Sequence, residues 1–133
     1  MGSERAELIE AARAVVCELR LRDGFSAGSV GAAIRTAEGN VYTGICIDLA
    51  CGLGFCAEVA AIAQMVTNQE TQIDAVVAVT SDGILPPCGR CRETVAQLDV
   101  RNLDCRVILA EDRDVPLRDL LPTHWLPDET GGA

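Results

Sequence analysis

Two short segments of this 133-residue chain combine residues that bind metal ions with a residue that can move protons. The first is Cys-Ala-Glu at residues 56–58, and the second is Pro-Cys-Gly-Arg-Cys at residues 87–91. Thiolates are good ligands for Zn²⁺, and a Cys-x-x-Cys pair at a helix start can place two sulfur atoms on one ion. Since Cys56 adds a third sulfur, the spacing predicts a zinc site formed by Cys56, Cys88 and Cys91.

A zinc ion with three protein ligands keeps a fourth position open, which is typical of catalytic rather than structural sites. Water in that position ionises near neutral pH, with a pKa of about 7. Glu58 follows Cys56 closely enough to face the same cavity from the first helical turn. We expect Glu58 to shuttle a proton from the water to the substrate, because a partly apolar pocket raises a carboxyl pKa into the useful range. Cys-x-Glu followed by Pro-Cys-x-x-Cys is the signature of zinc deaminases that act on nucleobases.

The same residues also allow other interpretations. Cys46 or Cys51 could join the three cysteines in a closed structural zinc site, but Glu58 would then have no role. The thiols could instead be buried without a metal, although Gly89 and Arg90 beside them favour an open helix start. Glu58 alone could be a first-turn glutamate that the helix dipole favours. Beside the three cysteines, a catalytic carboxylate fits better.

Both segments fall at predicted helix starts, and this placement would bring the sulfur atoms together. The apolar run over residues 55–68 predicts a helix that is buried on most sides. Residues 88–98 predict a second helix. A helix N-terminus carries a partial positive charge that favours thiolates. Two such N-termini that point at one place would form the metal site.

The remaining elements predict a sheet with helices on its faces. Turn residues at 38–40 should join two strands into a hairpin, and two later apolar runs rich in β-branched residues predict strands that are covered on both faces. This order indicates one three-layer α/β domain over residues 1–133, with a mixed sheet and a tail that frays after about residue 127. The other predicted elements are helices at 3–21 and 117–121, strands at 30–35, 40–47, 73–80 and 105–110, and loops at 48–54 and 81–87.

The amino-acid composition indicates which binding partners and which cellular compartment to expect. A net charge of -9 would repel a phosphate backbone, so the sequence argues against nucleic acid and favours a small neutral or cationic substrate. Seven cysteines, an odd number, without a secretory signal favour a cytoplasmic protein over a disulfide framework. No apolar run approaches the roughly 20 residues that a membrane-spanning helix needs, so no membrane partner is expected.

The residues quoted above carry a family resemblance. The chain resembles the cytidine deaminase superfamily, in its small branch with three cysteine ligands. Within it, GILPPCGRCRETV and the downstream DLLPTHW are most similar to the blasticidin-S deaminases, and SVGAAI with GNVYTG is also similar to the family. The resemblance covers roughly residues 8–125. It implies a three-layer α/β/α fold with a mixed five-stranded sheet, one zinc ion per subunit, and a homotetramer with active sites near subunit interfaces.

Two departures from the family pattern concern the substrate and the charge of the metal site. Cytidine deaminases that hold ribose carry Asn-x-Glu ahead of the first ligand, whereas residues 45–48 here are Ile-Cys-Ile-Asp, which argues against ordinary cytidine. Related three-cysteine enzymes have an arginine just after Cys-x-Glu, where this chain has Val59. Three thiolates on Zn²⁺ leave a negative centre, so we assign the tempering of that charge to Arg90. Arg92 fits a surface role and a site role equally well.

The resemblance also suggests substrate-binding residues. We expect Tyr42 and the loop that begins at Asp48 to shape the substrate end of the pocket, with Cys46 along its wall. Trp125 resembles an aromatic residue near the substrate pocket of the family, although core or interface packing fits it equally. His124, the single histidine, is expected on the surface or at an interface.

These features together predict a zinc-dependent aminohydrolase that removes the exocyclic amine of a cytosine-type nucleoside or nucleoside analogue, such as cytidine, deoxycytidine or a blasticidin-S-like compound. Deamination of a free base or another aminated heterocycle is the alternative within the same chemistry. A non-catalytic zinc-containing binding protein is the alternative from another class, and the intact Glu58 argues against it. A nucleic-acid editing enzyme is disfavoured by the net charge and by the lack of basic or aromatic stretches.

Overall fold

The computed structural model describes residues 2–126, so the tail after about residue 127, for which the sequence predicts fraying, lies outside the described residues. Residues 2–126 form helices α1 (Gly2–Val15), α2 (Ala57–Thr67), α3 (Gly89–Leu98) and α4 (Leu117–Leu120). They also form strands β1 (Leu19–Arg22), β2 (Phe25–Thr36), β3 (Val41–Asp48), β4 (Ile73–Thr80), β5 (Gly83–Leu85), β6 (Arg106–Ala110) and β7 (Arg113–Pro116).

The seven strands occupy five positions across one mixed sheet. β2 is long enough to pair with β3 along one edge and with both β1 and β4 along the other. β4 likewise pairs with β2 on one edge and with β5 and β6 on the other, and β7 closes the order beyond β6. Only the β4–β6 pair is parallel among the strands described. The mixed sheet of the predicted α/β fold is confirmed.

Alternating strand side chains supply an apolar layer to each face of the sheet, as the two-residue period of a strand requires. On one face, α1 packs through Leu8, Ile9 and Ala12 against Ala33, Ala75, Val77, Val79 and Ile108. On the other face, α2, α3 and α4 pack through Ala61, Ile62, Met65, Val95, Ala96 and Leu117 against Ile34, Val76 and Val107. The predicted three layers are therefore present, and the candidate site lies on the face that α2 and α3 cover.

The first predicted helix is too long at its C-terminal end. α1 ends at Val15, and residues 19–22, of which 19–21 are predicted as its last turn, form β1 instead. Leu-Arg-Leu-Arg has the alternation of a strand, and Asp23-Gly24 after it is the turn of a β1–β2 hairpin rather than a simple helix stop. All four β1 residues are exposed, so no buried apolar period distinguishes this strand from a helical extension in the sequence.

Two further short strands were not expected. β5 lies inside the predicted 81–87 loop and pairs with the end of β4, while β7 follows a tight turn after β6. Three or four residues carry too little periodicity to separate a strand from a loop.

No helix within residues 2–126 combines the length and the apolar composition that crossing a membrane requires.

Candidate active site

The N-termini of α2 and α3 present the cysteines of the candidate metal site. Cys56 and Cys88 are the N-cap residues of these helices, with extended backbones, and their carbonyl oxygens accept the first helical hydrogen bonds. The thiol of Cys56 makes no capping hydrogen bond to its own helix. An N-cap side chain that does not bond the helix end is free to bind a ligand there. Cys91 lies one turn into α3 and is fully buried.

The three sulfur atoms are close enough to share one ion. Sγ of Cys88 lies 3.6 Å from Sγ of Cys56 and 3.6 Å from Sγ of Cys91, and all three atoms lie within 4.8 Å of one another. Zn–S bonds of about 2.3 Å at a tetrahedral ion place two sulfur atoms about 3.8 Å apart. The observed separations therefore fit a zinc ion with three thiolate ligands. Neither Cys46 nor Cys51 belongs to this group in the described part of the chain, so a closed site with four cysteines is not formed.

The pKa values of the three thiols also indicate that a cation is needed for all three to ionise. Burial raises the pKa of the Cys56 and Cys91 thiols, and the nearby carboxylate of Glu58 raises both further. Burial also acts to raise the pKa of Cys88, but hydrogen bonds from the backbone amide and thiol of Cys91, the Cys56 thiol and the backbone amide of Arg90 lower it overall. Three adjacent sulfurs cannot all ionise without a positive partner, which a divalent ion would provide.

Glu58 faces the same cavity from the first turn of α2. Only 5% of its surface is exposed, and burial raises the pKa of its carboxyl group above the ordinary range. Its own backbone amide and the Cys91 thiol act in the opposite direction as hydrogen-bond donors. A buried carboxyl group with a raised pKa can hold a proton and release it again, which a proton shuttle requires.

A pocket of about 460 Å³ opens beside these groups. Cys56, Glu58, Cys88 and Arg90 line one part of it, and the end of β3 with the loop that follows lines another. A cavity of this size accommodates a ligand such as a nucleoside. The remaining lining residues are Ser29, Val30, Cys46, Ile47, Asp48, Leu49, Gly52, Gly54, Phe55, Ala57, Ala78, Leu85 and Pro86.

A model of the cytidine and deoxycytidylate deaminase zinc-binding region matches residues 4–106, which include both cysteine segments. The chain belongs to this family. Zinc is thus the metal of the matched region, and the three thiols fit that ion.

Similarity to individual family members agrees with the match. Blasticidin-S deaminase of Bacillus cereus is 34% identical over 90 residues, which cover 60% of this chain and 62% of that protein. Cytidine deaminase of Mycobacterium tuberculosis (strain ATCC 25618 / H37Rv) is 33% identical over 75 residues, covering 55% of this chain and 56% of that enzyme. The matched segments thus span less than two thirds of these curated relatives.

Solved structures of the family match over a larger part of the chain. Cytidine deaminase from Burkholderia pseudomallei is 29% identical with a TM-score of 0.72, covering 90% of this chain and 98% of that chain. The enzyme from Mycobacterium tuberculosis is 27% identical with a TM-score of 0.70, covering 92% and 94%. The cytidine-deaminase-like fold implied by the resemblance is confirmed.

Some of the residues that the sequence predicts to bind substrate line the pocket, and others lie elsewhere. Cys46 and Asp48 line it, as does Arg90. Tyr42 does not reach it, because its hydroxyl donates to the carboxylate of Glu70 near the start of β3, and this bond raises the pKa of Tyr42 to about 12. Trp125 is 86% exposed and is not among the described residues that line the pocket, and its backbone amide donates to the carboxylate of Glu93 in α3.

The structure adds two features to the site: the contacts of Arg92, whose role the sequence left open between the surface and the site, and the close approach of Gly44, which was not predicted. Arg92 donates to the carbonyl oxygen of Pro87 and to that of Leu120, so it ties the segment before Cys88 to the end of α4. Gly44 of β3 lies so close to α2 that a side chain there would collide with the helix backbone. A glycine inside a strand is the one sequence signal for such close approach. The role of Arg92 could not be decided from the sequence, because one of its two partners, Leu120, lies on a distant segment.

Proposed function

We propose that this chain is a zinc-dependent hydrolase that removes the exocyclic amine from a cytosine-type ring of a nucleoside or nucleoside analogue and releases ammonia. The observation that carries the proposal is the buried Glu58 carboxyl group, which lines the same pocket as Cys56 and Cys88, two of the three thiols that lie at zinc-ligand separations. Family membership supports the same chemistry. The two relatives described above, blasticidin-S deaminase and cytidine deaminase, are both named as deaminases.

Each residue of the site has a defined task in this reaction. Cys56, Cys88 and Cys91 hold the ion, which supplies Lewis-acid activation of a water molecule when bound. Glu58 accepts a proton from that water at its carboxylate and delivers it to the ring nitrogen next to the amine-bearing carbon. After the carbon–oxygen bond has formed, Glu58 takes the remaining proton from the added hydroxyl group and passes it to the amine, which leaves as ammonia when the carbon–nitrogen bond breaks. Water supplies the oxygen of the uracil-type product, and the atoms balance.

Arg90 contributes to the electrostatics of the metal site in this proposal. Its backbone amide lowers the pKa of Cys88, and Arg90 is one of the residues that line the pocket. A site with three thiolates and one divalent ion carries net negative charge, which weakens the activation of water. A guanidinium at the pocket wall opposes that charge.

The substitution Glu58→Gln tests the proposal, because it keeps the shape of the side chain and removes its basicity. Purified zinc-containing protein would be incubated with cytidine, deoxycytidine, cytosine and blasticidin S, while ammonia release and metal content are measured. We expect turnover of at least one compound and a loss of at least about 100-fold in Glu58→Gln with zinc retained. The exposed Glu7→Gln on α1 is the control for the lost charge.

The panel also separates the competing functions. Turnover of cytosine alone would move the substrate class to free bases. Zinc content without turnover of any compound, or unchanged turnover in Glu58→Gln, would contradict the proposed mechanism and favour a zinc-containing binding protein.

We also propose that the chain assembles as a homotetramer and works in the cytoplasm. Exposed apolar side chains near the pocket support an interface, with Leu53 at 74% exposure beside the lining Gly52 and Gly54. Seven free cysteines, three of them forming the metal site, suit a reducing compartment. Light scattering of the zinc-loaded protein tests the assembly.

A further inference from the structure

The three thiols of the metal site differ in their access to solvent. Cys88 is exposed and lines the pocket, Cys56 is half-buried, and Cys91 has no exposed surface. The space beside Cys88 is also open, since a Cβ atom added at Gly89 would meet no atom within 4 Å. A small oxidant that enters the pocket would therefore reach the Cys88 thiol most easily.

Two further thiols lie close enough to react with Cys88 once it is oxidised. Sγ of Cys88 is 3.6 Å from Sγ of Cys91 and 3.6 Å from Sγ of Cys56. The sulfur atoms of a disulfide are about 2.05 Å apart, so closing the bond needs a shift of about 1.5 Å. Rotation of a cysteine side chain can supply a shift of this size.

The start of α3 favours Cys91 over Cys56 as the partner of Cys88. Both residues belong to the same turn, and residues three positions apart in a helix have Cα atoms about 5 Å apart. Disulfides bridge Cα separations of about 4.4–6.8 Å, and Cys-x-x-Cys pairs form disulfides in redox proteins. The backbone amides of Arg90 and Cys91 donate to the Cys88 sulfur and hold it over its own helix.

We propose that Cys88 and Cys91 form a redox switch, in which hydrogen peroxide converts the two thiols into a disulfide and the chain cannot bind zinc until a thiol reductant opens that bond. The switch regulates the site of the proposed function, and it rests on that function only for the use of these sulfur atoms as zinc ligands. A ligand sulfur must be a thiolate. Since only Cys56 would remain as a protein ligand, the site would lose its affinity for the ion.

The oxidation balances in two steps. The Cys88 sulfur attacks one peroxide oxygen, the oxygen–oxygen bond breaks, and a sulfenic acid at Cys88 and one water molecule result. The Cys91 sulfur then attacks the Cys88 sulfur, and the hydroxyl group leaves with the Cys91 proton as a second water molecule. The two thiols lose two electrons, and the peroxide gains them.

Cleavage after glutamate residues tests the pairing, because it places Cys88 and Cys91 together on the peptide of residues 71–93 and Cys56 on the peptide of residues 39–58. Zinc-free and zinc-loaded protein would be treated with hydrogen peroxide, free thiols would be alkylated, and the peptides would be analysed by mass spectrometry. We expect the 71–93 peptide to contain an internal disulfide and to stay unlinked to the 39–58 peptide. Zinc should slow the reaction about tenfold or more, because the same sulfur atoms hold the ion.

Zinc release is the second readout. Release to a coloured chelator should rise in step with the disulfide, and a thiol reductant should restore zinc binding. Cys17→Ser removes an exposed thiol outside the metal site and should change neither readout, so it is the control for general oxidation. Zinc-free Cys56→Ser keeps both proposed partners and should still form the disulfide.

A cross-link between the 39–58 and 71–93 peptides would overturn the pairing of Cys88 with Cys91. Two intact thiols on the 71–93 peptide, after the other cysteines of the zinc-free protein have reacted, would overturn the switch, and so would equal rates with and without zinc. These readouts do not depend on turnover. A chain that oxidises as expected but deaminates no compound of the panel would contradict the proposed function and leave the switch intact.

Discussion

Replacing Gly44 by alanine would show how closely the sheet must approach α2 to hold the site. A Cβ atom at this position would lie 2.5 Å from the backbone nitrogen of Ala61, 2.6 Å from Cβ of Ala60 and 2.8 Å from the carbonyl oxygen of Ala57. Two of these three atoms belong to the helix backbone. No side-chain rotation can relieve the collision, so α2 or β3 must move.

The size of the movement follows from these distances. Ordinary van der Waals contact begins at 3.4 Å, so the shortest contact falls 0.9 Å short. Overpacking of this kind costs about 1–3 kcal/mol of stability. α2 carries Glu58 and begins at Cys56, and a misplacement of about 1 Å at a reacting group can lower the rate about 100-fold. We therefore expect moderate destabilisation with a disproportionate loss of activity.

Gly31→Ala provides a matched control on the other face of the sheet. Its Cβ would lie 2.5 Å from the carbonyl oxygen of Ala12 in α1, so the shortest contact has the same length and involves the backbone of a helix that carries no site residue. We expect Gly31→Ala to lose similar stability but to keep zinc content and kcat/KM within a few-fold of the parent. The comparison thus separates damage to the fold from displacement of the site.

Urea unfolding, metal analysis and ammonia release on the best substrate of the panel would be measured for both variants and the parent. The expected outcome is similar unfolding midpoints for the two variants and a kcat/KM that is at least about tenfold lower in Gly44→Ala than in Gly31→Ala. Equal activities at equal destabilisation would refute the reasoning, since they would mean that α2 can shift without moving Glu58 relative to the metal ligands.

Three further predictions concern residues that support the site. Asn102 is fully buried and accepts from the amide of Ile73 while its own amide donates to two backbone carbonyls, so Asn102→Ala should lower the free energy of unfolding by about 2–4 kcal/mol in urea titrations. Arg92→Met removes the hydrogen bond to Pro87 and should weaken zinc binding about 10-fold or more in chelator competition, whereas unchanged affinity would deny Arg92 any positioning role. Hydrogen bonds from Arg101 lower the pKa of Asp99 to about 2, below its value of about 3.9 in an unfolded chain. Its stabilisation, about 1 kcal/mol after screening, should be complete above about pH 5 and be lost as the pH falls toward 2, and Asp99→Asn should remove this dependence from unfolding midpoints.

The chemistry of the site could be predicted from local sequence because its groups are tied to helix starts. Cys56 and Cys88 come directly before helices, and Cys91 and Glu58 follow within one turn. The local backbone at a helix start fixes the direction of the side chains around it, independently of the rest of the fold. The identity of the cluster and the presence of two helix N-termini therefore follow from spacing alone.

The elements that sequence reasoning missed are short or exposed. β1, β5 and β7 contain three or four residues each. These segments form strands because their backbones hydrogen-bond to the free edges of neighbouring strands. Such edges exist only in the assembled sheet. The end of α1 was misplaced for the same reason, since the amide of Cys17 bonds to the carbonyl of Gly28 in β2 instead of continuing the helix.

The sequence by itself determined which residues could hold zinc, which carboxylate could move a proton, and that helices would lie over a mixed sheet, because these properties depend on residue type and short spacing. Only the tertiary structure decided that Cys56 and Cys88, 32 positions apart, place their sulfurs 3.6 Å from each other. It also decided that Asp48 faces the pocket while Tyr42 turns to Glu70. Strand register and the packing of α2 on Gly44 set these positions, and both arise from contacts between distant segments.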